Sequence, residues 1–297
     1  MHTQTLKKSL LALTFWIALH ASSMQAQTVS APPLTINSTG TNPVDFEFRA
    51  DGTLIAKGNI GVGTLLSTDI GNGDFMLWFP KLGAFRAGET YLTTATTGQF
   101  AIGPQSVAFG AETTASGYSS TALGTYTTAS GDESTALGDF SIASGDCSAA
   151  FGDHSTASGL DSLSFMANSI ASGDNSLALG AWASASGYAS IALGPDNIAS
   201  GSYSLTLGAG TTASAYFSTA SGVYTTASAY DSFVMGTYNI GGGNPTTWVA
   251  TDPLFEVGNG TATKPSDALL VDKSGNVTAK TFTTTAAAGD IPMYSGN

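Results

Sequence analysis

Residues 121–145 read TALGTYTTASGDESTALGDFSIASG. Each seven-residue unit closes on glycine, with alanine two places before it and serine or threonine four places before it. Working outward in steps of seven reaches Gly103, Gly110, Gly117, Gly124, Gly131, Gly138, Gly145, Gly152, Gly159, Gly173, Gly180, Gly187, Gly194, Gly201, Gly208, Gly222 and Gly236. Met166, Ala215 and Ala229 take the other steps, so glycine fills seventeen of twenty. Alanine fills seventeen of the twenty positions two residues earlier. The residue before the glycine alternates. Phe or Leu precedes Gly110, Gly124, Gly138 and Gly152, whereas Ser precedes Gly117, Gly131, Gly145 and Gly159. The full period is therefore fourteen: S-x-A-L-G-x-x-T-x-A-S-G-x-x.

A period of seven is also the period of a coiled coil, but a coiled coil needs large apolar residues at two heptad positions and good helix formers between them. A glycine every seven residues costs a helix about 1 kcal/mol each time. Within a unit the alternation has period two: Ser, Ala and Gly share one parity, and the Thr, Ile, Leu and Ser positions share the other. The pattern predicts strands of four or five residues joined by two-residue turns, two strands and two turns to a coil. Short strands at fixed spacing with a glycine at each corner describe a β-solenoid whose coils stack about 4.8 Å apart. Glycine at the corner supplies either positive φ or room for a close backbone approach. Alanine in mid-strand implies a narrow interior or a tightly approaching neighbour chain. Parity alone leaves open which face points inward.

The units TALGTYTTASG, TALGDFSIASG and LALGAWASASG resemble the head repeats of trimeric autotransporter adhesins, the YadA-like haemagglutinin repeats. The resemblance spans residues 97–236. It implies an all-β fold, a left-handed parallel β-roll of 14-residue coils, three chains side by side, and adhesion without catalysis. The chain departs from that family in showing no neck motif, heptad stalk or C-terminal membrane anchor. The expectation is thus a secreted or surface-attached protein on the same kind of head, either adhesive or purely structural.

Composition narrows the alternatives. Only 10% of the 297 residues are charged, against about 25% in ordinary soluble domains. The net charge is −12, and between Arg86 and Lys264 there are thirteen acids and no Lys or Arg. Salt bridges cannot hold that stretch; main-chain bonding and close packing must. No basic patch exists to neutralise nucleic-acid phosphates. The single Cys147 excludes a disulfide scaffold.

Residues 1–26 read as a signal peptide: Lys7 and Lys8, then LLALTFWIAL at 10–19, with cleavage after Ala26 or, alternatively, after Ser23. The apolar run is shorter than the about 20 residues of a membrane span, and no second long one follows. An exported protein with no spanning helix after cleavage is expected. Residues 27–69 read as linker and hairpin, 70–96 as an N-terminal cap (Phe75, Met76, Leu77, Trp78, Phe79 and Phe85), 237–282 as a C-terminal cap with a hairpin, and 283–297 as a tail. FRADGTLIAK at 48–57 aligns with VDKSGNVTAK at 271–280, each a hairpin turning on Asp-Gly or Ser-Gly.

Catalytic signatures are missing. G-x-S-x-G, H-E-x-x-H and G-x-G-x-x-G do not occur. His154, the one histidine left after signal cleavage, sits at a turn, as does Cys147. No catalytic residue, cofactor or metal site is expected. Asp132, Asp139, Asp146, Asp153 and Asp174 each follow a repeat glycine. They suit solvated turns, with weak Ca²⁺ binding the alternative. The two turn positions also collect aromatics: Tyr118, Tyr126, Phe140, Trp182, Tyr188, Tyr203, Tyr216, Phe217, Tyr224, Tyr230 and Tyr238. Of these, Tyr126, Phe140, Trp182, Tyr203, Phe217 and Tyr224 are the candidate contacts for an extracellular protein or carbohydrate; subunit contact is the competing role in a homotrimer.

Overall fold

The computed structural model describes residues 34–37, 45–48, 54–57, 73–79, 82–90 and 102–281. The signal peptide, the Asp51-Gly52 turn and the 283–297 tail lie outside these residues. The chain divides into two units, Met1–Thr64 and Leu65–Asn297. In the first, Leu34–Asn37, Asp45–Phe48 and Leu54–Lys57 form an antiparallel meander, with Phe48 opposite Leu54 across the expected hairpin.

In the second unit the repeat becomes a parallel β-solenoid of about nine turns. Strands of three to five residues, such as Thr121–Thr125, alternate with strands of two, such as Thr128–Ala129. The longer strands belong to a fifteen-stranded sheet and the short ones to a nine-stranded sheet. Every step of register is one repeat: Ala122 pairs with Ala136, Ala136 with Ala150, and Ala129 with Ala143. The two strands are less equal than the alternation predicts. The Ser-Gly corner takes the five residues between Ala129 and Thr135, closed by the Ser134 N–H on the Gly131 carbonyl at 3.3 Å, which shortens the strand before it.

The interior carries the Ser, Ala and Gly parity. Ala122, Ala136 and Ala150 on the long sheet and Ala115, Ala129 and Ala143 on the short one are fully buried and form two columns of methyl groups in one core. Beside them Ser120 and Ser134 are also buried, and their hydroxyls donate to the carbonyls of Gly117 and Gly131, at 2.8 and 2.6 Å. Such a core is too thin to bury large side chains, so main-chain bonds between coils carry the cohesion.

Where glycine holds a corner, the reason is the same in both classes. A Cβ on Gly131 would stand 2.1 Å from the Gly145 carbonyl oxygen, and one on Gly124 would stand 1.8 Å from that of Gly138. The two classes differ in conformation. The Leu-Gly class has positive φ, 132° at Gly124, whereas Gly131 does not. Close approach is therefore general, whereas positive φ at the glycine itself is confined to alternate corners.

Both ends of the interior are plugged by a charged side chain. The strand Ala84–Thr90 pairs parallel to Val107–Ala111 and sets Arg86 beside Ala108, in the long sheet's alanine column. Arg86 is buried; its guanidinium donates to the Ala115 carbonyl at 2.7 Å, and desolvation lowers its pKa to about 10. At the far end Pro253–Asn259 pairs with Phe233–Thr237 and sets Glu256 beside Val234. Glu256 is buried and accepts from the Asn239 amide, and burial raises its carboxyl above the usual range. Asn239 stands in for a missing strand: its Oδ1 accepts the Thr226 N–H at 2.7 Å and its Nδ2 donates to the Thr226 carbonyl at 2.9 Å. Each plug pairs with a residue 22 positions away in sequence, off the fourteen-residue period, which is why the repeat does not reveal it.

Candidate functional site

Each coil turns through two corners, and at both the residue two places after the repeat glycine is left-handed. From Gln105 to Tyr238 this conformation recurs every seven residues, and among those positions only Gly210 is a glycine. Tyr126, Phe140, Trp182, Tyr203, Phe217 and Tyr224 all occupy it, with φ between 51° and 62°. A non-glycine residue there costs about 1 kcal/mol. An inter-coil bond compensates: the Tyr126 N–H donates to the Ala111 carbonyl at 2.9 Å, the Phe140 N–H to Thr125 at 2.9 Å, and the Trp182 N–H to Ala167 at 3.0 Å. This pitch makes the left-handed residues of successive coils neighbours, so each corner carries a ladder of side chains.

The ladders separate the aromatic candidates. Tyr126, Phe140, Trp182, Tyr224 and Tyr238 lie along the Leu-Gly edge, while Tyr118, Tyr188, Tyr203, Tyr216, Phe217 and Tyr230 lie along the Ser-Gly edge. Within an edge many stack on one another. Tyr126 lies on Phe140 at 4.9 Å between ring centres, and Phe140 on His154 at 4.8 Å. Tyr203 lies on Phe217 at 5.0 Å and Tyr224 on Tyr238 at 5.1 Å. These faces are spent on each other. Trp182 is the exception among the left-handed aromatics, 63% exposed with Asn168 and Asp196 as its ladder neighbours.

The turn aspartates tie coil to coil. Oδ1 of Asp132 accepts the Tyr118 N–H at 2.8 Å, Oδ1 of Asp146 the Asp132 N–H at 3.0 Å, and Oδ1 of Asp174 the Leu160 N–H at 2.9 Å. The same N–H of Tyr216 and Tyr230 goes instead to the carbonyls of Pro245 and Asn244, where the following segment runs back over the corner. His154 Nδ1 lies 2.6 Å from Asp153 Oδ1. The Cys147 thiol is exposed, and desolvation followed by the carboxylates of Glu133, Asp161 and Asp146 raises its pKa, disfavouring the reactive thiolate.

The outward face of the long sheet was not singled out by the repeat reading. Phe109, Leu123, Leu137, Phe151, Phe165, Leu179, Leu193 and Leu207 stack there in one column, next to Leu163, Leu177, Ile191 and Leu205 in a second. Phe109, Phe165, Leu179 and Leu207 are exposed, at 36–44%. The Phe or Leu before alternate glycines was its signal, which parity could not assign to a face.

Seven windows of the chain, residues 101–127, 115–141, 129–155, 167–183, 171–197, 185–211 and 213–239, match the family described as the YadA head domain repeat (2 copies). The repeat segment is a YadA-like head. YadA head repeats suggest a surface adhesin-type protein. A search of curated proteins gives no match to the chain. Among the described residues no helix is long and apolar enough to cross a membrane.

Proposed function

We propose that this protein is exported by its N-terminal signal, associates as a homotrimer through the outward apolar face of its YadA-like head, and adheres to extracellular protein or carbohydrate through the two edges. The apolar face carries this reading. Two adjacent columns of Leu, Ile and Phe continue over several coils, and exposed apolar surface of that extent marks an interaction site. With that face covered by subunits, the corner ladders remain available, and three copies would multiply weak contacts. The caps at 70–96 and 237–282 would keep the sheet ends from indiscriminate pairing.

A second reading, a structural fibre without external ligand, draws support from the sheet ends. Among the described residues the fifteen-stranded sheet terminates in Gly73–Phe79 and Val277–Ala279, each with a neighbour on one side only. Purified protein, freed of its signal, is to be tested for adhesion to cells, matrix proteins and immobilised sugars, and viewed by electron microscopy. Saturable adhesion without filaments supports the adhesin; filaments without adhesion support the fibre.

A further inference from the structure

The Leu-Gly edge has one break in its ladder of side chains. Upward from Trp182 the left-handed positions are Asp196, Gly210, Tyr224 and Tyr238. Gly210 has no side chain, and the Tyr224 ring fills that space: a Cβ on Gly210 would lie 2.5 Å from Tyr224 Cε1. The far face of Tyr224 is covered by Tyr238. Between the levels of Trp182 and Gly210 only the short Asp196 intervenes. The backbone register holds this spacing, because the Asp196 N–H donates to the Ala181 carbonyl and the Gly210 N–H to the Pro195 carbonyl, both at 3.0 Å. Two coil steps separate the level of Trp182 from that of Gly210, which the Tyr224 ring reaches, by about 10 Å. Asp196 stands between Trp182 and Tyr224 on this edge, and all three residues are exposed.

Resting on the adhesin reading above, we propose that the notch between Trp182 and Tyr224 takes an arginine side chain of a partner polypeptide, with Asp196 as counter-ion. A cation midway between these two levels lies about 5 Å from each, within the about 6 Å reach of cation–π attraction. Guanidinium is planar, weakly hydrated and stacks on aromatic faces, so it suits the slot better than a hydrated ammonium. The head supplies no competing cation of its own, since no Lys or Arg lies between Arg86 and Lys264 and Arg86 is buried. A neutral sugar would use the rings but not the carboxylate.

The test uses the full-length secreted protein and fluorescein-labelled peptides of repeated Gly-Ser-Arg, with lysine or citrulline counterparts, read by fluorescence anisotropy. Binding should follow the order arginine, lysine, citrulline. Trp182→Ala and Asp196→Asn should each weaken arginine-peptide binding by about tenfold, while Ile142→Ala, exposed on the outer face of the short sheet and away from both edges, leaves it unchanged. Both notch variants replace exposed turn residues, and unchanged circular dichroism would show that they fold. Equal binding of the citrulline peptide, wild-type affinity in both variants, or Trp182-dependent binding of a neutral oligosaccharide instead would overturn the proposal. Adhesion that survives both variants overturns the notch but keeps the adhesin; peptide binding by a protein that adheres to nothing does the reverse.

Discussion

At the scale of the residue, the repeat glycines and the left-handed residues after them do different work. Gly131 lacks positive φ and is held by the carbonyl stacked on it, so its replacement cannot be relieved by a change of its own conformation. Gly131→Ala is expected to cost about 3 kcal/mol or more, because a whole coil must lift. Gly275→Ala meets positive φ but open space, and is expected to cost about 1 kcal/mol. Thermal unfolding of the two variants checks the difference. Asp272 governs acid behaviour at the C-terminal hairpin. Its carboxylate accepts the Ser274 hydroxyl at 2.7 Å, the Asn276 amide at 2.8 Å and both backbone N–H groups at 2.9 Å, which hold its pKa at about 2. A folded pKa below the unfolded value of about 3.9 gives stability that is present above pH 4 and lost as pH falls toward 2. Asp272→Asn should flatten that segment's acid response, read by hydrogen exchange of the amides at 272–276.

The coil is the structural unit at the next scale, and it is fourteen residues, not seven. Removing residues 156–169 joins Ser155 to Ile170, and each then has the kind of neighbour it had before. That variant is expected to fold with one turn fewer and a single cooperative transition, since every repeat contacts only its neighbours. Removing residues 156–162 joins Ser155 to Leu163 and places a long-sheet strand in the short-sheet position. Every coil beyond the junction then turns its apolar column to the opposite side, and the expected outcome is a split or lost melting transition by circular dichroism. The end plugs belong to this scale too. Arg86 and Glu256 occupy the long sheet's alanine column where no further coil follows, and they meet main-chain carbonyls at one end and the strand-mimicking Asn239 at the other.

For the whole molecule, the proposed assembly rests on the long sheet's outer face. In the proposed trimer a lysine in that face would place an unpaired charge between subunits, and burying an unpaired charge is strongly unfavourable. Leu179→Lys should therefore shift sedimentation velocity from trimer to monomer, whereas Ile142→Lys, exposed on the outside of the short sheet, should leave the trimer intact. Dissociation by both substitutions would overturn the assignment of the interface to this face, and a wild-type monomer would overturn the trimer.

The solenoid itself was legible in the chain, because a backbone that stacks on itself every fourteen residues leaves little room for a Cβ at its closest points, and seventeen glycines record that constraint one by one. The absence of Lys and Arg told equally directly that ionic contacts do not hold it. Which parity faces inward needed the tertiary structure, since Ser, Ala and Thr suit either side of a thin strand. So did the split of the aromatics into two edges, because alternate sevens are neighbours in sequence yet lie on opposite corners. Arg86 and Glu256 are single residues outside the period, and only their pairing with Ala108 and Val234 reveals what they close.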